Sequence, residues 1–143
     1  MRKIKEIIIH CSATVEGKDF GAKHIRRWHM NGNGWSDIGY HYVITLNGMV
    51  QLGRDEEVIG AHSKGHNKHS IGICYIGGLD SKGNPKDTRT PQQDAALVNL
   101  LKILKDKYPN AHIMGHNEVS GKACPSFDVQ QAYGWLNDEQ PTE

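Results

Sequence analysis

Ile7, Ile8 and Ile9 form an unbroken β-branched stretch within Lys5–Cys11, and no other feature constrains the fold as strongly. β-Branched side chains favour extended backbone, and a run without polar alternation leaves no face for water. The segment therefore reads as a buried strand, closed by the polar cluster that follows it. A strand of this kind needs sheet neighbours and helices to cover it. Two more strands are expected at Ser70–Ile76 and Ala111–Met114. Tyr40–Leu46 and Met49–Leu52 flank Asn47-Gly48, which predicts a hairpin with a type I′ turn.

The covering helices have their own signals. Ala22–Met30 carries Ile25, Trp28 and His29 at helical spacing, and Asn31-Gly32-Asn33-Gly34 is expected to stop it. Thr90 at the N-cap, Pro91 at the first helical position and Gln93 completing a capping box open a second helix. Its apolar face is Leu97, Leu100, Leu101, Leu104 and Tyr108, and Pro109 ends it. A third helix is expected over Asp128–Leu136, with a frayed tail from Asn137 onward. Strands and helices in this order predict an α/β fold with helices packed on a sheet. The expected division is one domain over residues 1–137 and a disordered tail over 138–143.

Size and charge narrow the function. A chain of 143 residues fits one domain, with 17 Lys plus Arg against 16 Asp plus Glu for a net charge of +1. That balance lacks the basic excess of a nucleic-acid binder, so no nucleic-acid partner is expected. No apolar run approaches the ~20 residues of a membrane span, which argues against membrane insertion. The three isoleucines are too few for a signal peptide's apolar region. Cytoplasmic synthesis is expected, with any export by a helper route. Three cysteines, an odd number, exclude a complete disulfide framework and point to free or metal-bound thiols.

Nine histidines are a high count, and their placement matters more than their number. His116 and Cys124 share one loop between a strand and a helix, and both residue types are good zinc ligands. His10 ends the first strand, at the carboxyl edge where α/β proteins place their ligand sites. Alone, His10 reads as a core histidine. With His116 and Cys124 it completes three N/S ligands and leaves a tetrahedral position open for water, the arrangement of a catalytic site.

His10-Cys11-Ser12-Ala13-Thr14, Gly39-Tyr40-His41, Gly53-Arg54-Asp55, Ser70-Ile71-Gly72 and Lys122-Ala123-Cys124-Pro125-Ser126-Phe127-Asp128 closely resemble the amidase-type phage lysozymes. These are zinc-dependent N-acetylmuramoyl-L-alanine amidases, with the peptidoglycan recognition proteins as more distant relatives. The resemblance runs through nearly the whole chain. It implies zinc on His10, His116 and Cys124, with catalytic roles for Tyr40 and Lys122. It implies a single domain with a central mixed β-sheet flanked by helices. The implied substrate is the amide between N-acetylmuramic acid and L-alanine, in peptidoglycan or in muropeptides. His62, in Gly60-Ala61-His62-Ser63, matches a loop that lines the family's substrate groove, and is a candidate substrate contact. Where some relatives carry a second histidine after the ligand at 116, this chain has Asn117.

Other readings stand beside this one. Taken singly, Tyr40 reads as a packing aromatic and Lys122 as a solvated charge. Cys11 should face away from His10 into the core, and Cys74 lies within an apolar strand. His41 is expected to be structural, and His66 and His69 solvated. A non-catalytic muropeptide-binding module of the same fold is the main alternative function. A cysteine-nucleophile hydrolase using Cys124 is another, and a purely structural zinc domain a third. A monomer is expected, acting on the wall after release or on recycled fragments.

Overall fold

A computed structural model describes residues 2–138. Residues 139–143, most of the expected tail, lie outside the described residues. In chain order the elements are β1 (Glu6–Cys11), β2 (Thr14–Val15), α1 (Ala22–Asn33), β3 (Tyr42–Ile44) and β4 (Val50–Leu52). Then come β5 (Ser70–Tyr75), β6 (Gly78–Leu79), α2 (Pro91–Lys107), β7 (His112–Gly115) and α3 (Val129–Tyr133).

Five strands form one mixed sheet in the order β4-β3-β5-β1-β7. β1 runs parallel to β5 and β7, and β3 runs parallel to β5, while β4 pairs antiparallel with β3. β1 is thus an inner strand, and Ile7, Ile8 and Ile9 are fully buried, as a continuous apolar run requires. The strand's alternation separates two environments. Ile7, Ile9 and Cys11 join the larger core with Ile71, Ile73, Tyr75 and the α2 leucines. Ile25 and Ala22 of α1 pack on the other face with Val43, Cys74, Ile38 and Ile76. His10 alternates onto the face opposite Ile9 and Cys11, where the rings of Tyr40, His62 and His116 lie against it.

The α2 signals act as expected. Gln93 N–H donates to Thr90 Oγ1 and Thr90 N–H donates to Gln93 Oε1, both at 3.0 Å. Gln93 also donates through Nε2 to the carbonyls of Ile44 and Ile76, so one buried side chain caps a helix and closes two strand ends. Four expectations need correction. α1 continues through Asn33, because residues 31–33 accept helical backbone and only Gly34 takes the left-handed cap conformation. The hairpin is not a two-residue type I′ turn. Thr45 and Met49 still pair across it, and only Gly48 has positive φ, at 85°. This is a three-residue loop ending in a left-handed glycine. The third helix is one short turn, Val129–Tyr133, continued as 3₁₀ through Asn137. Asn137 itself is not frayed. Its side chain receives Ile113 N–H at 2.8 Å and donates to Ile113 O at 3.1 Å, covering the open edge of β7. β2 and β6, a two-residue parallel pair, are too short to show in any periodicity.

Candidate active site

Three segments converge beside the end of β1. β1 itself delivers His10, which is 1% exposed. β7 ends at Gly115, and the 3₁₀ turn His116–Glu118 swings His116 back so that its ring centroid lies 4.5 Å from that of His10. The loop after it returns Cys124, whose sulfur sits 3.8 Å from His10 Nδ1 and accepts the Cys11 backbone N–H at 3.2 Å. One ligand atom from each of His10, His116 and Cys124 lies within 4.8 Å of the others.

The Cys124 loop is held from below. Tyr75 OH donates to Pro125 O at 2.6 Å, and the Arg89 guanidinium stacks 3.7 Å from the Phe127 ring centre. Arg89 is itself fixed by Asp87 and by the Tyr133 hydroxyl.

Tyr40 lies two residues before β3 rather than within a strand, with its ring 5.1 Å from that of His10. Arg54 places it. The Arg54 backbone N–H donates to Tyr40 O, while its guanidinium donates to Ile38 O at 2.9 Å and Ile59 O at 2.8 Å. His29 adds a bond, accepting the Gly39 N–H at 2.9 Å. Neither was assigned a role from sequence. The motif Gly53-Arg54-Asp55 was visible, but a guanidinium clamp on two loops has no sequence signal of its own.

His62 packs against the opposite side of His10, its Nδ1 2.8 Å from His10 Nε2 and its Nε2 3.1 Å from Ser70 Oγ. Asn67 Oδ1 pins its loop by accepting the N–H groups of His62 and Ser63. A cleft of about 520 Å³ opens here, lined by His62, His116, Lys122, Trp35, Lys64 and Ser120 among others. Lys122 is exposed at this cleft. The structure thus brings all six candidate residues into one neighbourhood.

The remaining histidines and cysteines separate out. His41 is structural: Nδ1 accepts the Gly72 N–H and Nε2 meets Val58 O. His66 and His69 are less solvated than expected, His66 bonding Glu6 at 2.9 Å and His69 the Lys3 carbonyl at 3.1 Å. Cys11 and Cys74 are buried in the two apolar clusters.

The imidazoles are set for metal binding, whereas the Cys124 thiol, pushed up by its bond with Cys11 and by burial, must give up its proton to bind one. Burial pushes His10 well below the usual imidazole range, with His62, His116 and Lys122 adding to it. Burial, with Lys122 beside it, lowers His116 too. His62 is pushed down to about 3, first by burial and then by His41. All three rings are therefore neutral near pH 7, the form that binds metal. A tetrahedral zinc places imidazole nitrogen and thiolate sulfur about 3.6 Å apart, close to the 3.8 Å here. Among the described residues no fourth His, Cys, Asp or Glu joins the group.

Comparison with known proteins gives one answer. The endolysin of Enterobacteria phage K11 is 47% identical over 130 residues, covering 91% of this chain and 85% of that protein. The N-acetylmuramoyl-L-alanine amidase LysC from Clostridium intestinale superposes with a TM-score of 0.79 at 29% identity, covering 95% of this chain and 87% of that one. A Drosophila PGRP-LB mutant in complex with tracheal cytotoxin superposes with a TM-score of 0.75 at 28% identity, covering 87% and 76%. The N-acetylmuramoyl-L-alanine amidase family matches residues 1–127, a span that contains the entire cleft. On the strength of that match, the chain belongs to the family of N-acetylmuramoyl-L-alanine amidases.

Proposed function

We propose that this chain hydrolyses the amide between the lactyl group of N-acetylmuramic acid and the first L-alanine of the stem peptide, with zinc held by His10, His116 and Cys124. The amidase activity is that of the family. The observation that carries the zinc reading is the two neutral imidazoles and one thiol gathered within 4.8 Å. Zinc bound there supplies a Lewis acid and lowers the pKa of a water towards about 7.

The chain's own residues do the rest. Tyr40 stays a neutral phenol because burial holds its pKa well above the usual range. Its ring lies 5.1 Å from that of His10, where the hydroxyl would orient a water by hydrogen bonding. Lys122, at the mouth of the cleft beside His116, offsets the negative charge that develops on the carbonyl oxygen. One donor in that position is typically worth about 3 kcal/mol. His62 and Trp35 form the cleft wall against which the substrate lies.

The partner is peptidoglycan or its muropeptides, handled by a monomer acting on the cell wall. No helix among the described residues is long and apolar enough to cross a membrane. Mass spectrometry of muropeptides after incubation, with and without a zinc chelator, tests the proposal. The expected product is a free stem peptide with an L-alanine amino terminus, lost on chelation and restored by zinc. Cleavage that survives chelation would overturn the zinc reading and make Cys124 the nucleophile. Bound but uncut muropeptide would point to a recognition module instead.

A further inference from the structure

The two nitrogens of His10 meet different neighbours. Nδ1 faces the Cys124 sulfur at 3.8 Å, and Nε2 lies 2.8 Å from His62 Nδ1. His62 Nε2 is in turn 3.1 Å from Ser70 Oγ, on a residue with no exposed surface. A ring nitrogen that offers its lone pair to a metal carries no proton, so a neutral His10 keeps its proton on Nε2. The acceptor within reach of that proton is the Nδ1 lone pair of His62. His62 must then hold its own proton on Nε2, where Ser70 Oγ accepts it. One chain of hydrogen bonds sets the tautomer of both rings.

We propose that His62 is a positioning residue for His10, anchored by Ser70, and that it aims the His10 Nδ1 lone pair at the point shared with His116 and Cys124. The proposal rests on the zinc reading above. The backbone has made room for the arrangement. A β-carbon at Gly72 would stand 2.6 Å from the His62 ring, and one at Gly60 would stand 2.9 Å from it, so two glycines let the imidazole lie against the sheet. Both ring nitrogens of His62 are engaged within the protein. Its contact with a substrate is therefore made by ring carbon, and its polar capacity serves His10.

The test is zinc affinity, measured on the full chain by competition with a chromophoric chelator, for wild type, His62→Ala, His62→Asn and Ser70→Ala. Asparagine places Oδ1 near the position of the imidazole Nδ1 and keeps the acceptor. His62→Ala is expected to weaken zinc about 10- to 100-fold, with His62→Asn restoring most of it and Ser70→Ala giving a smaller loss. Long-range ¹⁵N NMR of the wild type should show His10 protonated at Nε2 both without and with zinc, and a mixed tautomer in His62→Ala. Wild-type zinc affinity in His62→Ala would overturn the proposal. So would an equal loss in His62→Asn, which would make the effect one of packing. If His62→Ala does not fold, the Asn and Ser70 variants and the wild-type tautomer still decide. A wild type that binds no zinc is a separate result and overturns the metal reading itself.

Discussion

Gly72→Ala is the sharpest probe of how the site floor is built. Gly72 sits within β5, in register with Ile8 of β1. The backbone there is extended strand, which alanine adopts freely. The added methyl would stand 2.6 Å from His62 Cγ and Cδ2 and 2.8 Å from Nδ1, where ordinary contact begins at 3.4 Å. The ring must move by about 0.8 Å. Bonds of 2.8 Å to His10 and 3.1 Å to Ser70 hold it, and Gly60 also lies close against the ring. A shift of that size along the shorter bond lengthens it to about 3.6 Å, beyond a hydrogen bond.

Overpacking of this kind costs about 1–3 kcal/mol, partly offset by up to about 1 kcal/mol from the stiffer unfolded chain. For a domain of this size each kcal/mol is roughly 3 °C, so the net loss lowers Tm by up to about 9 °C. The decisive measurement is a double-mutant cycle by thermal or urea unfolding. In a His62→Ala background the methyl enters space the ring has left, so Gly72→Ala should be neutral or slightly stabilising there. An equal loss in both backgrounds would refute the reasoning, because the methyl would then be meeting something other than His62.

Three further outcomes are expected. Lys122→Ala should lower kcat about 100-fold with zinc still bound, and Tyr40→Phe should also lose turnover without losing metal; full turnover in either loaded variant would remove its assigned role. Glu56 links Tyr42 of β3 to Lys107 and Tyr108 at the end of α2. Burial opposes its ionisation, but Lys107 and the Tyr108 and Tyr42 hydroxyls hold it below the usual carboxylate range. A depressed folded pKa contributes stability above the unfolded value of about 4.3, lost as pH falls through the folded pKa. Glu56→Gln should therefore cost on the order of 1–2 kcal/mol near pH 7, with the gap to wild type narrowing under acid; a pH-independent gap in urea midpoints would contradict this. Asn137→Ala removes the acceptor of the Ile113 N–H while Gln130 Nε2 still donates to Ile113 O, so hydrogen exchange at that amide should accelerate, and unchanged protection would show that the edge of β7 is covered by something else.

Sequence patterning reached furthest where one residue type implies one environment. The unbroken isoleucines could only be an inner strand, and the Thr90-Pro91-Gln93 start could only be a helix start, because each is a local statement about burial or unpaired backbone groups. The site was legible for a related reason. His10 and His116 stand at strand ends, so placing β1 beside β7 carries them together, Cys124 follows in the loop after His116, and the motifs around all three match the family that residues 1–127 belong to. What stayed hidden depends on contacts distant in sequence. That His62 meets His10 across 52 residues, or that Asn137 completes the edge of β7, follows from no spacing or periodicity. Asn-Gly accepts two positive φ angles, whereas the register of Thr45 with Met49 asks for only one, so the dipeptide alone does not fix the turn type.

The hidden contacts share a function. Three loops build the cleft, and each is tied to the scaffold by a polar side chain that the chemistry does not use. Arg54 joins the Tyr40 loop to the segment around Ile59, Asn67 holds the turn that carries His62, and Arg89 on Phe127 braces the Cys124 loop. A site whose ligands come from separate loops needs such braces, since a loop free to move by an ångström cannot hold its ligand in place for a metal or a reacting carbonyl. Arg89 is the brace that reports this most directly. Replacing it with Met keeps an apolar stem over Phe127 but removes the bonds to Asp87 and Tyr133, so zinc affinity should fall before the fold does. Loss of zinc and fold at one urea concentration would instead mean that the Cys124 loop has no motion independent of the core.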